Sequence, residues 1–228
     1  MPKTVFIIAD TAIETIPFEI IHLGAIKKHA EKKGKKASTI ILDSSYHYKA
    51  MQKLPDHMKR GRPDILHLCL LSILNSPLVK MNPLDVEILV HTYNKEIIRV
   101  NPITRLPKHY LRFIGLMEKL FQDKIIKSKN ESLMEIFTND PLEKYLSDYK
   151  NDSRLLFTVK GKQTKIEKLI EKNNKNDIVF IVGGFSHGSY SSEIEALSNK
   201  KISISELSLE AWIVLNRLIT FRENMILQ

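Results

Sequence analysis

Two rhythms of hydrophobic and polar positions run along this chain. Runs of apolar and β-branched residues of strand length occur in Met1 to Asp10, Thr39 to Leu42, Asp85 to Thr92, Glu96 to Val100, Arg154 to Val159, Asp177 to Val182 and Lys201 to Ser205. Between them lie stretches of helical character. One opens at Thr15 to Glu19 and ends in the lysine-rich run Lys27 to Lys36, with Gly34 as its stop; a second follows Asp43 or Ser44, either of which suits an N-cap. A third has Pro63 and Asp64 in its first turn and reads as a buried helix from Ile65 to Leu74. Others are expected from near Pro107, over Lys162 to Lys172, and over Leu209 to Phe221 with the only tryptophan, Trp212.

The spacing predicts a hairpin around Tyr93-Asn94-Lys95, joining two strands. Residues 123–153 are polar and rich in Lys, Asn and Ser, and they read as a variable connector with short helical pieces at Leu133 to Phe137 and Pro141 to Leu146. With 228 residues and 43% hydrophobic content the chain can bury a real core and reads as one large domain over 1–228, or one with an insertion.

Composition narrows the function. No apolar run approaches the roughly 20 residues needed to span a bilayer, and the start lacks a signal-peptide pattern, so a cytoplasmic protein without membrane association is expected. Cys69 stands alone in an apolar run, which excludes an internal disulfide framework and a cysteine-rich zinc site; no metal is expected. Neither a His-Glu-x-x-His motif nor a Walker loop is present. The excess of 35 Lys plus Arg over 26 Asp plus Glu, a net charge of +9, points to an anionic partner, with nucleic acid first.

Charge position sharpens that expectation. No acid occurs between Glu96 and Glu118, and Arg105, Lys108 and Arg112 are spaced three and four apart, with Lys108 and Arg112 on one face of the helix expected from Pro107. Cations interleaved with Tyr110 and Phe113 suit phosphates and unstacked bases, so RNA is favoured. The run Lys27 to Lys36 reads as a solvated helix end, with phosphate binding as the alternative. Arg62 and Asp64 are either a surface cation and a helix-start acid, or a pair in which the carboxylate aims the guanidinium at a phosphate or base. His47, with no paired acid in view, reads as structural. The loop Gly183-Gly184-Phe185-Ser186-His187-Gly188 is either a tight turn or a place where backbone approaches a cofactor; it is not the dinucleotide spacing, in which Glu206 would be the ribose ligand.

Four stretches occur together in an order that resembles a known family: Leu42-Asp43-Ser44-Ser45-Tyr46-His47, Arg60-Gly61-Arg62-Pro63-Asp64-Ile65, Asn101 to Pro107 with Arg112 to Met117, and Val182 to Gly188. They are similar to the archaeal and eukaryotic ribosome-biogenesis pseudouridine N1-methyltransferases of the SPOUT class, over nearly the whole chain. The resemblance implies an α/β fold, a SPOUT-type sheet flanked by helices, with a C-terminal trefoil knot against which S-adenosylmethionine binds. Its cofactor loops correspond to Phe157 and Thr158, to Gly183, Gly188, Ser189 and Tyr190, and to Ile202, Ser203, Ile204, Ser205, Glu206, Leu207, Ser208 and Leu209. It implies a homodimer and a substrate pseudouridine in a hairpin loop of small-subunit rRNA. RNA contacts carry over onto Arg62, Arg105, Lys108 and Arg112, with Arg62 and Asp64 as the catalytic pair.

Some positions depart from the family pattern. Lys108 stands where arginine is common, Ser186 where proline often occurs, and Ser205 and Ser208 replace a tyrosine and a proline. Two rival functions follow from the same surface: a non-catalytic RNA-binding ribosome-assembly factor, and a SPOUT methyltransferase acting on another RNA nucleotide.

Overall fold

The structure, a computed structural model, describes residues 2–129, 131–138, 140–173 and 176–226. Strand β1 (Thr4–Thr11) leads to helices α1 (Gly24–Lys33), α2 (Ser44–Met51), α3 (Pro63–Asn75) and α4 (Pro77–Met81). The hairpin β2 (Val86–Thr92) and β3 (Ile97–Val100) precedes α5 (Tyr110–Asp123), which runs into β4 (Ile125–Ser128) and β5 (Glu131–Phe137). The last part comprises β6 (Arg154–Gln163), α6 (Ile166–Asn173), β7 (Ile178–Gly183), α7 (Ser192–Ala196), β8 (Lys200–Ser203) and α8 (Ala211–Ile226).

All eight strands form one sheet in the order β4-β5-β3-β2-β1-β7-β6-β8. The five strands β2, β1, β7, β6 and β8 are parallel, while β3, β5 and β4 add an antiparallel edge. The carboxyl ends of the parallel strands therefore share one edge, the side on which open α/β sheets place ligands.

Because side chains alternate across a strand, successive residues of β1 and β7 feed two cores. Phe6, Ile8, Phe180 and Val182 pack with apolar residues of α3, α5 and α8 on one face. Val5, Ile7, Val179 and Ile181 pack with Leu142, Leu146 and Tyr149 and with Ile194 of α7 on the other. Strands covered on both faces need the continuous apolar runs seen in the sequence. A third, smaller cluster joins α1 and α2 through Ile26, Ala30, Ala50 and Met51. Leu215, Leu218 and Ile219 are buried and anchor α8 to the sheet, each contributing about 2 kcal/mol. Leu215 and Ile219 thus belong to this chain's own core, while Trp212 and Ile213 of the same helix keep exposed surface.

Several elements differ from the expected pattern. The first helix starts at Gly24, because Ile16 and Ile20 turn inward to the third cluster through a single 3-10 turn at Phe18–Ile20. Thr39 to Leu42 is not a strand: Thr39 ends a 3-10 turn (Ala37–Thr39), and Ile41 makes one isolated bridge to Thr15, with Ile40, Ile41 and Leu42 all buried. Helix α5 begins at Tyr110, so Lys108 lies before it and shares no helix face with Arg112. Leu133 to Phe137 is strand within β5, with Met134 and Ile136 turned inward, and the supposed connector completes the sheet edge. Arg154 pins the remainder of that segment through bonds to the carbonyls of Leu146 (2.8 Å) and Tyr149 (3.0 Å). Lys162 and Gln163 still belong to β6, and α6 starts at Ile166.

Candidate active site

A cleft of about 280 Å³ opens at the carboxyl ends of β6, β7 and β8, close to the lower end of the roughly 300–1,000 Å³ typical of small-molecule sites. Phe157 and Thr158 of β6, Gly183 at the end of β7, and Gly188, Ser189 and Tyr190 of the next loop line it. Ile202 through Ser205 and Leu207 through Leu209 complete the wall, so three separate stretches of sequence converge. Glu206 is exposed and outside the lining. Sequence reasoning missed Lys160, Glu195 and Glu210, the charged residues of the cleft; nothing in their local pattern distinguishes them from solvated surface.

The loop after β7 is held by two anchors. Tyr190 donates to the Phe157 carbonyl at 2.8 Å and receives the Gly183 N–H, while burial pushes its phenol pKa up. Asp10, at the end of β1, receives the Ser191 N–H at 2.5 Å and the Ser191 hydroxyl at 3.0 Å, together with Lys59 Nζ at 3.0 Å. Burial alone would raise the Asp10 pKa, but hydrogen bonds from His91, Ser191 and Lys59 outweigh it and hold the carboxyl well below the usual range. Gly183 leaves no room for a side chain: a Cβ there would meet Phe185 at 2.9 Å and the Tyr190 hydroxyl at 3.1 Å. Gly188 takes φ +98°, a conformation that favours glycine. In the third stretch Ser205 Oγ accepts the Leu207 N–H at 3.0 Å, so this loop is braced by its serine.

Gly184-Phe185-Ser186-His187-Gly188 also spells the Gly-x-Ser-x-Gly spacing of a hydrolase nucleophile turn. No helix follows directly, and Ser186 Oγ donates to the Met58 carbonyl at 3.3 Å, so the strand-turn-helix context of that motif is missing.

Arg62 is the N-cap residue of α3, with Pro63 at the first helical position. Its backbone N–H donates to the Ala12 carbonyl just beyond β1, at 3.0 Å. Its guanidinium grips both oxygens of Asp64, at 2.9 and 2.7 Å, and this fork raises its pKa against the opposing effect of burial. Glu210, which lines the cleft, and Asp43 also act on the Arg62 guanidinium through their charges and raise its pKa further. The expected pairing of Arg62 with Asp64 is therefore present.

Arg105, Lys108 and Arg112 are exposed, and none has an ion-pair partner among the described residues. Their segment is fixed from behind: His67 stacks on Phe113 at 4.3 Å with Nε2 2.8 Å from the Pro107 carbonyl, and Tyr110 donates to Asp43 at 2.6 Å. Asp43 caps α2 by accepting the Ser45 N–H. His47 is structural, as expected: its Nδ1 accepts the Asp43 N–H at 3.0 Å and its Nε2 lies 2.7 Å from His29 Nδ1. Lys33 and Lys35 are not simply solvated, since both reach the buried Glu118 at 2.6 Å.

The pattern of the EMG1/NEP1 methyltransferase family matches residues 6–223. This chain belongs to that family. It is 39% identical over 223 residues to the ribosomal RNA small subunit methyltransferase Nep1 of Staphylothermus marinus, covering 96% of this chain and 94% of that one. To Nep1 of Pyrococcus furiosus it is 40% identical over 220 residues, 95% of each chain. The crystal structure of Archaeoglobus fulgidus Nep1 bound to S-adenosylhomocysteine superposes with a TM-score of 0.87 at 35% identity, covering 100% of this chain and 99% of that one. Family membership thus agrees with the resemblance carried by the four ordered stretches, and it extends across the segment first read as a connector.

Proposed function

We propose that this chain transfers the methyl group of S-adenosylmethionine to N1 of a pseudouridine in a hairpin loop of small-subunit ribosomal RNA. The single observation that carries the reading is the convergence of the three expected cofactor loops on one cleft, whose Glu210 acts electrostatically on the Arg62–Asp64 fork. The S-adenosylhomocysteine bound to the Archaeoglobus relative supports the cofactor, and the names of the relatives support the rRNA.

The cleft suits that cofactor. Ile202, Ile204 and Leu209 offer an apolar wall to a purine, the backbone near Gly183 and Gly188 approaches without side chains, and Lys160, Glu195 and Glu210 offer charges to an amino-acid tail and a ribose. When bound, the cofactor supplies a methyl group already activated by its sulfonium. What remains for the protein is alignment and help in losing the N1 proton. The N1–CH3 bond forms as the S–CH3 bond breaks, and the N1 proton leaves to water. Arg62 stabilises negative charge on the base as that proton departs. Both Asp64 oxygens are engaged by Arg62, so Asp64 holds the guanidinium instead of taking the proton. An unpaired loop also lets the base turn outward at less cost than a duplex would.

The reading includes a knotted C-terminal region, a homodimer, and a cytoplasmic role in small-subunit assembly. In support of the knot, β6 bulges between Phe157 and Lys162 and passes so close to β8 that a Cβ at Gly161 would overlap the backbone of Ile202. In support of the dimer, Leu68 of α3 and Ile213 of α8 are exposed on two helices that pack together.

Mass spectrometry of a hairpin loop containing uridine or pseudouridine, after incubation with labelled cofactor, tests the reaction. A gain of one methyl at N1 of pseudouridine alone is expected. Cofactor binding without turnover indicates an assembly factor, and methylation elsewhere a different target nucleotide.

A further inference from the structure

A second cavity, of about 440 Å³, lies on the same sheet edge at the ends of β1 and β2. The loop Gly188 to Tyr190 is the wall between it and the cofactor cleft. His91, at 1% exposure, lines this cavity; its Nδ1 lies 3.3 Å from both the backbone nitrogen and Oδ1 of Asp10, while its buried Nε2 has no hydrogen-bond partner among the described residues. A buried ring nitrogen left unpaired is costly and asks for a ligand group. Asp10 beside it takes φ +48°, a left-handed conformation rare outside glycine and typical of strained functional positions.

The other walls indicate what that ligand is. Tyr93 lines the cavity, and one face of its ring is covered by the Arg60 guanidinium at 4.5 Å from the centroid. Arg60 is itself locked onto Glu14 by two bonds of 2.7 Å, so the ring is a backed, rigid platform. Met58, with 48% exposure, supplies a polarizable apolar surface. Lys59 pairs with Asp10 at 3.0 Å and Lys95 with Glu193 at 3.4 Å, and the lining also holds Asp56, so the cavity is nearly balanced in charge. An aromatic platform and a thioether, with a histidine whose buried Nε2 is unpaired in the same wall, suit a neutral planar heterocycle better than an anion.

We propose that this cavity takes the base of a second unpaired nucleotide of the RNA, distinct from the one that is methylated. The proposal rests on the reading of the chain as an RNA methyltransferase. The Gly188–Tyr190 wall keeps a base held here away from the cofactor, so it serves for recognition. It stacks on Tyr93 beside Met58 and meets His91 Nε2 with its polar edge.

The test is an abasic scan. A hairpin RNA carries an abasic nucleotide at each loop position in turn, and its dissociation constant is measured by fluorescence anisotropy for the wild type, Tyr93→Ala and Met58→Ala. In the wild type, one position other than the methylated one loses about tenfold in affinity when its base is removed, as expected for one stacked base. In Tyr93→Ala that penalty vanishes while the penalty at the methylated position persists, and Met58→Ala, at a half-exposed position, reduces it. Scans of both variants parallel to the wild type overturn the proposal, as does a His91 Nε2 NMR resonance unmoved by saturating hairpin, which means that the cavity holds only water. The abasic effect without methylation overturns the proposed reaction and supports the cavity. Methylation without the abasic effect does the reverse.

Discussion

The Tyr190 hydroxyl donates to the Phe157 carbonyl at 2.8 Å and so ties the loop after β7 to the end of β6. Tyr190→Phe removes this tie and leaves the Phe157 carbonyl and the Gly183 N–H short of a partner, at a cost of about 1–3 kcal/mol. Much of that cost falls on the ordered loop. Calorimetry with S-adenosylhomocysteine is expected to show roughly tenfold weaker binding. Unchanged affinity would mean that the Asp10–Ser191 anchor suffices.

Gly183→Val acts on the same wall by crowding. Its Cβ would sit 2.9 Å from Phe185 Cε1, so Phe185 or Tyr190 must shift toward the cleft. Loss of measurable cofactor binding in calorimetry, with the far-UV circular dichroism retained, is the expected result. Full affinity in this variant would place the cofactor elsewhere.

Glu118 ties α5 to the lysines at the end of α1. It is buried, with Lys33 and Lys35 each 2.6 Å away, and these bonds hold its pKa down against the effect of burial. Glu118→Gln keeps the shape and removes the charge. Charge-assisted bonds contribute about 1.5–3 kcal/mol, so urea unfolding should show a loss of about 2 kcal/mol. A change under about 0.5 kcal/mol would return both lysines to the solvated surface.

How far the sequence carried the fold depends on the range of the interactions involved. The runs that became β1, β2 and β7 were legible because strands buried on both faces must be apolar throughout. Pro63 and Asp64 marked the start of α3 by backbone chemistry alone. The Leu133-Met134-Glu135-Ile136-Phe137 run was ambiguous, since a short apolar run fits helix or strand until its partner is known; pairing with β3 decides it. The lysine run looked solvated because its acid lies 83 to 85 residues away in sequence. The cofactor loops were reached through the family resemblance, not through spacing. The Arg62–Asp64 pair could be suggested locally because only Pro63 separates its members.

Acid should weaken the contact between α1 and α2. His47 has its pKa lowered to about 4, first by burial and then by His29, with Asp43 opposing. In the unfolded chain an ordinary histidine titrates near 6.5. Below that value the unfolded state takes up a proton that the folded state refuses, so the stabilising effect is fully present above pH 6.5 and is lost as pH falls toward 4. Thermal melts should show a falling Tm across that window and a shallower fall for His47→Gln. Parallel curves for the two proteins would remove His47 as the cause.

The basic segment and the Arg62–Asp64 fork should separate experimentally. Arg105, Lys108 and Arg112 are exposed and without ion-pair partners among the described residues, so their charge is available to phosphates. Changing each to alanine is expected to weaken binding to many RNAs alike and to lower the salt slope by roughly 0.7 per lost single-strand contact. Arg62 is different, because Asp64 fixes its guanidinium with two short bonds. Arg62→Ala should reduce kcat/KM for methylation by on the order of 30- to 150-fold while changing general RNA affinity little. Asp64→Ala frees the guanidinium and should reproduce part of that loss. Since the two act as one unit, the double variant should be much less impaired than the product of the single effects. Multiplicative losses in that cycle, or an Asp64→Ala protein that unfolds instead of losing activity, would leave Asp64 as an acid that only complements the start of α3.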